Sequence, residues 1–136
     1  VAELDFAMLA EFARVDPSGL LTIVNGAFDQ IEMPGPGLVQ RMALAFRIEL
    51  EPNETSASFE VKITQPDEGA ALLGLSGTSV PNTEGKTPVG KLGVITAVDM
   101  GFPVMKPGRY VIQVFVEGEL AKQLPFDVRF QTPPAG

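Results

Sequence analysis

Phe102-Pro-Val-Met-Lys-Pro-Gly-Arg-Tyr-Val-Ile-Gln-Val-Phe-Val-Glu-Gly-Glu-Leu-Ala-Lys-Gln-Leu-Pro-Phe-Asp-Val-Arg-Phe130 reads as two strands and a reversal. Pro107-Gly108 is a turn that releases the first strand, Glu117-Gly-Glu119 reverses it, and the second strand returns. The stretch has the form of the closing hairpin of a β-sandwich. Glu117-Gly118 suits a two-residue turn, yet that register sets Tyr110, Ile112 and Val114 opposite the polar residues of the return strand. A three-residue loop would put them on the face of Leu120, Leu124 and Phe126. A slip of one residue turns every side chain over, so burial predicts either the longer loop or a bulge within Leu120 to Gln123. Pro125 has no N–H to donate, so the last strand is at an edge or its proline faces outward.

The same alternation runs backwards along the chain. From Val39 to Leu50, Met42, Leu44, Phe46, Ile48 and Leu50 share one face, while Arg41, Arg47 and Glu49 take the other. Ser58 to Thr64 repeats it with Phe59, Val61 and Ile63. A weaker strand covers Ala70 to Thr78, and Lys91 to Val98 forms another. Between them Val80 to Gly90 reads as a mobile surface loop, and the turn from Gln65 to Gly69 ends the second strand. Asp99 to Gly108 reads as the crossing into the closing hairpin. Its Phe102, Pro103 and Met105 either plug the core or form a recognition patch. Tyr110, the only tyrosine, fits a structural corner that bonds back to the preceding connection better than it fits a ligand contact.

The front of the chain allows two readings. Ala2 to Val15 holds helix formers and no breaker. Against a helix stands Asp16-Pro-Ser-Gly19, in which proline suits the first corner of a type I turn and Gly19 the left-handed position of a bulged three-residue loop. That loop pairs Val15 with Leu21, Ala13 with Ile23 and Phe12 with Val24. As strands, this hairpin is apolar on both faces: Leu9, Ala13, Val15, Leu21 and Ile23 on one, and Phe6, Met8, Phe12 and Val24 on the other. A sandwich strand needs one apolar face, so the spare one is covered by a loop or belongs to a subunit contact. Asn25-Gly26 then interrupts the strand as a bulge.

With 136 residues, 45% hydrophobic and 20% charged, the chain is long enough for one core without disulfides. It is expected to form a single domain over residues 1–136, with 131–136 a flexible tail. Ten Lys and Arg stand against seventeen Asp and Glu, and the cations are scattered singly. Clustered cations are what displace counterions from phosphate, so neither nucleic acid nor an anionic membrane is an expected partner. Cysteine and histidine are both absent, which removes the commonest transition-metal ligands and the usual base of Ser and Cys hydrolases. No run is long enough for a spanning helix and no charged-then-apolar leader is present, so the cytoplasm is the default location.

Carboxylates are the only plentiful reactive groups, and most sit on outward faces or in turns. Glu49, Glu51 and Glu54 in one loop and Asp67 with Glu68 in another are the nearest approach to a calcium cluster, without EF-hand spacing. Gly35-Pro-Gly37 lacks a following Lys-Ser or Lys-Thr and reads as a stiff loop rather than a phosphate cradle.

The chain resembles a family of short bacterial proteins known as a domain of unknown function. The resemblance rests on Asp5-Phe-Ala-Met-Leu9, Ala13-Arg-Val-Asp16, Gly19-Leu-Leu-Thr-Ile-Val24 and Gly26-Ala-Phe-Asp-Gln-Ile31. It closes on Phe102-Pro103, Pro107-Gly-Arg-Tyr110 and Glu117-Gly-Glu119. It implies an immunoglobulin-like or C2-like sandwich, transfers no active site, and tips the N-terminus towards strand. The expectation is therefore an all-β, single antiparallel β-sandwich of Greek-key type with about seven to nine strands. The expected role is a non-enzymatic protein-protein interaction or scaffolding domain, self-associating through the apolar first hairpin or an open edge. The candidate contact residues are Phe6, Met8, Phe12, Val24, Phe102 and Met105, with no cofactor and a homo-oligomer or another protein as partner. The alternative is a small-ligand or carbohydrate-binding module, which the absence of Trp disfavours.

Overall fold

The computed structural model describes residues 1–65, 71–81 and 90–131. Residues 132–136 of the expected tail, 82–89 of the expected mobile loop and 66–69 of the expected turn lie outside them. The described residues form nine strands and no helix: β1 (Glu3–Val15), β2 (Leu21–Gly26), β3 (Gln30–Met33), β4 (Leu38–Leu50), β5 (Ala57–Thr64), β6 (Ala71–Ser79), β7 (Leu92–Val104), β8 (Gly108–Val116) and β9 (Glu119–Phe130). One sheet has the order β2-β1-β4-β7 and the other β3-β9-β8-β5-β6.

Period-two alternation builds a core that both sheets share. Met42, Leu44, Phe46, Ile48 and Leu50 of β4 are buried in one cluster with Val61 and Ile63 of β5 and with Tyr110, Ile112, Val114 and Val116 of β8. Each such aliphatic or aromatic side chain contributes about 1.5–3 kcal/mol by leaving water. Phe46 and Phe59 meet edge to face across the core at 5.0 Å. Where the two sheets' edges come together, the hydroxyls of Ser79 on β6 and Thr96 on β7 lie 3.3 Å apart, and Ser79 is buried.

The arrangement is not purely antiparallel, contrary to expectation. β3 runs parallel to β9, pairing Gln30 with Asp127 and Met33 with Phe130. The chain passes from β2 in one sheet to β3 in the other through only Ala27 to Asp29, and so arrives on the free side of β9 running the same way. β7 is also longer than expected and continues through the segment read as a crossing, with Met100, Phe102 and Val104 buried and Gly101 and Pro103 exposed. Glycine and proline hid a regular alternation there. Pro103 is tolerated because β7 is an edge, paired among the described residues with β4 alone.

The closing hairpin settles its register by combining both devices. Val116 pairs with Glu119 across a two-residue turn, and Glu117 (φ 52) and Gly118 (φ 81) both take the left-handed region that a type I′ turn requires. Glu117 is held there by β5: its N–H donates to the Ser58 carbonyl (3.0 Å), and its carboxylate accepts the Ser58 N–H and hydroxyl (both 3.2 Å). Phe115 pairs with Leu120 but Val114 with Lys122, which leaves Ala121 as a bulge. That extra residue brings Leu124, Phe126 and Val128 onto the face of Tyr110 and Ile112. Leu120 precedes the bulge and so stays outside, 45% exposed, against the expectation that it would join them.

Pro125 is exposed, and its missing donor falls where no strand among the described residues stands to accept it. Asp127 donates its N–H to the Asp29 carbonyl on the β3 side, so residue 125, two positions back, turns its nitrogen the same way, before β3 begins. Tyr110 is fully buried and its hydroxyl donates to the Lys106 carbonyl at 2.8 Å, which is the corner the sequence suggested.

Candidate interaction surface

The N-terminal hairpin has the pairing its turn implies, with Val15 opposite Leu21, Ala13 opposite Ile23 and Phe12 opposite Val24. Asp16 shapes the loop, its carboxylate accepting N–H groups from Ser18 (2.9 Å) and Leu20 (3.0 Å) while Gly19 sits at φ 87. The faces, however, differ from a simple alternation. Leu9 belongs to the shared core, whereas Ala13 is buried in a second cluster with Ala43 and Ala45, flanked by Met8, Leu21, Ile23 and Ala97. Residues four apart in a regular strand share a face, so the strand reverses its facing between them.

The reversal is at Glu11 and Asn25. These residues are skipped in the ladder between Ala10–Gly26 and Phe12–Val24, and Asn25 adopts φ 50. Its side-chain amide donates to the Glu11 carboxylate at 2.8 Å. Ala43 and Ala45 alternate with core residues of β4 and so lie on the outer face of their sheet, yet both are fully buried. The arm formed by the end of β1 and by β2 is what covers them, and alanine leaves room for it. Gly26 is crowded within the arm itself, because a Cβ there would stand 2.6 Å from Ile23 Cγ2.

The hairpin thus covers its own sheet's spare face, and its other side is left for solvent. Phe12 and Val24, opposite one another, are 47% and 44% exposed. Met8 is largely taken up by the second cluster, and Phe6 is half-buried opposite Arg47. Phe102 is a correction: it is buried in the shared core, 6.4 Å from the Tyr110 ring and 6.2 Å from Phe126, and has no surface to offer. Met105 is exposed at the β7–β8 bend, beside Leu38 and Val39 at the start of β4, which are exposed as well. Sequence reading missed those two because they are neighbours pointing to opposite faces, ahead of Met42 where the alternation of β4 begins; only the end of the core shows both to be outside.

The carboxylates are engaged locally. Arg47 binds both Asp5 (2.7 Å) and Glu49 (2.9 Å), and the Glu54 carboxylate accepts the Glu51 N–H at 2.8 Å. No group of three or more metal-ligating side chains occurs among the described residues, and Asp67 with Glu68 lies outside them. Arg109 grips Asp127 across β8 and β9 with two bonds of 3.0 and 3.3 Å, holding the Asp127 carboxyl below its ordinary range. Asp16 is lowered too, first by the Ser18 hydroxyl and then by the Leu20 N–H. A carboxyl depressed on folding stabilises the fold fully above its unfolded value and loses that contribution as pH falls through the folded one. Thermal stability is therefore expected to hold down to about pH 5 and to decline below about pH 4. Asp127→Asn and Asp16→Asn should each flatten that acid limb in a melting series, and an unchanged limb in both would remove these groups from the account.

A groove of about 570 Å³ runs between the arm and the edge of β7, lined by Arg14, Val15, Val80, Val94, Ile95 and Asp99 among others. None of its described lining residues is aromatic, so it lacks the flat ring on which a sugar would stack.

These features define an all-β protein of two sheets with a hairpin arm folded across the outer face of one. The chain belongs to the family of unknown function DUF6941, whose profile spans residues 5–129. No curated protein matches it in sequence. Among solved structures it is similar to the Pseudomonas fluorescens alkylpurine DNA glycosylase AlkC bound to DNA containing an abasic site analog, with 17% identity and a TM-score of 0.48. The likeness covers 94% of this chain but only 30% of the glycosylase. Two expectations are withdrawn on the chain's own composition: that it is not an enzyme, and that nucleic acid is excluded as a partner. Missing His and Cys removes particular bases and ligands but leaves seventeen Asp and Glu, and net charge is a sum that says little about the few cations lining a local contact. At that similarity the glycosylase passes neither its activity nor its DNA to this chain. No helix among the described residues is long and apolar enough to cross a membrane.

Proposed function

We propose that this chain is a protein-protein interaction or scaffolding domain that self-associates through the outward side of its N-terminal hairpin. One observation carries the reading: Phe12 and Val24 form an exposed apolar pair on an arm whose opposite side is already buried, next to the free edge of β2. β2 itself, Leu21-Thr-Ile-Val-Asn-Gly26, has no charged residue, so two copies of a chain of net charge -7 can meet there with least repulsion. In this reading the two sheets are a β-sandwich of immunoglobulin-like or C2-like type, residues 1–136 are one domain, and the protein works in the cytoplasm. Sedimentation velocity at micromolar concentration should show a dimer that becomes a monomer when Phe12→Asp and Val24→Asp are combined. Both positions are half-exposed, so circular dichroism should stay unchanged. A monomeric wild type across that concentration range would refute self-association.

A further inference from the structure

We propose that Asn25-Gly26 is a site of spontaneous chemical modification, at which Asn25 is converted to aspartate and isoaspartate against the Glu11 carboxylate. The fold demands this dipeptide for two separate reasons. Asn25 holds φ 50, a conformation that asparagine and glycine accept best, and its amide ties the reversal point of β2 to Glu11 at 2.8 Å. Gly26 admits no side chain, since a Cβ would collide with Ile23 and approach Met8 Sδ to 3.4 Å. Both residues are exposed to water.

The same pair is the most reactive one for ring closure, because glycine leaves its amide nitrogen unshielded. That nitrogen attacks Asn25 Cγ and gives its proton to solvent base, and the side-chain nitrogen leaves as ammonia. Water then opens the five-membered succinimide at either carbonyl. One opening yields aspartate; the other yields isoaspartate, with the backbone rerouted through Cβ. Nothing is oxidised or reduced, and the only co-reactant is water.

The product undoes the local structure. A donor facing Glu11 becomes a second carboxylate at hydrogen-bond distance, and the isoaspartyl form adds a backbone atom to β2. The arm over Ala43 and Ala45 is expected to loosen as the protein ages.

Folded protein incubated at mildly alkaline pH should gain one mass unit per chain, mapped to Asn25 by peptide analysis and labelled by isoaspartyl methyltransferase. The rate should rise with hydroxide concentration, and Asn25→Gln should keep its mass over the same period. Retention of Asn25 in the folded protein, while the urea-unfolded chain converts, would overturn the site. Asn25→Asp tests the consequence independently: hydrogen exchange in β2 should speed up while β8 is unaffected. Unchanged exchange in β2 would overturn the loosening.

Discussion

Replacing Tyr110 by alanine is expected to cost about 3–5 kcal/mol in urea unfolding, while phenylalanine at the same place costs about 1 kcal/mol. The ring is fully buried and lies 5.5 Å from Phe126 in a stacked pair, with Phe102 tilted against both. Alanine would leave a void between Phe102 on β7 and Phe126 on β9, and these two remaining rings, each fixed on its strand, cannot collapse into it. Phenylalanine keeps that packing and loses the bond to the Lys106 carbonyl. The loss of the larger effect would take a substantial part of the 5–15 kcal/mol typical of a domain. The pair of variants separates packing from anchoring: an unchanged midpoint in Tyr110→Phe would mean that the corner bond contributes nothing.

Much of this was legible in the sequence where one face meets a core and the other meets water. β4, β5 and β8 alternate cleanly, and their buried sets are those the pattern gives. The bulge in the closing hairpin was legible too, because turn chemistry and burial made incompatible demands that one extra residue reconciles. What escaped was longer in range. β3 is four residues long and its partner is nearly a hundred residues away, so no local period marks it. The facing reversal at Glu11 and Asn25 escaped for another reason: Leu9 and Ala13 are both apolar, and only three-dimensional contacts show that they serve different clusters. Phe102 was ambiguous because Gly101 and Pro103 look like breakers, and at an edge strand they are not. The candidate surface was therefore half readable. Phe12 and Val24 stand out as surplus apolar residues, whereas the exposure of Leu38 and Val39 depends on where the core stops.

Ala45→Leu is expected to lift the arm off its sheet and to cost about 1–3 kcal/mol, with Ala43→Leu behaving alike. Both alanines are fully buried on the outer face of β4, and the space above them is filled by Ala13, Met8, Leu21 and Ile23. Ala45 stands directly opposite Met8 on one side and Ala97 on the other, so a longer side chain has no lateral escape. Only upward displacement of β2 and the end of β1 relieves it. Leucine is no less apolar than alanine, so a loss of stability here must come from shape rather than from solvation. Hydrogen exchange should quicken in residues 11–26 while β8, on the far side of the core, stays protected. The same variants bear on self-association, because a displaced arm carries Phe12 and Val24 with it: weaker dimers with an intact shared core are the expected result. Rapid exchange throughout both sheets would show instead that the arm and the core unfold as one unit, and an unchanged midpoint would show that the arm yields without cost.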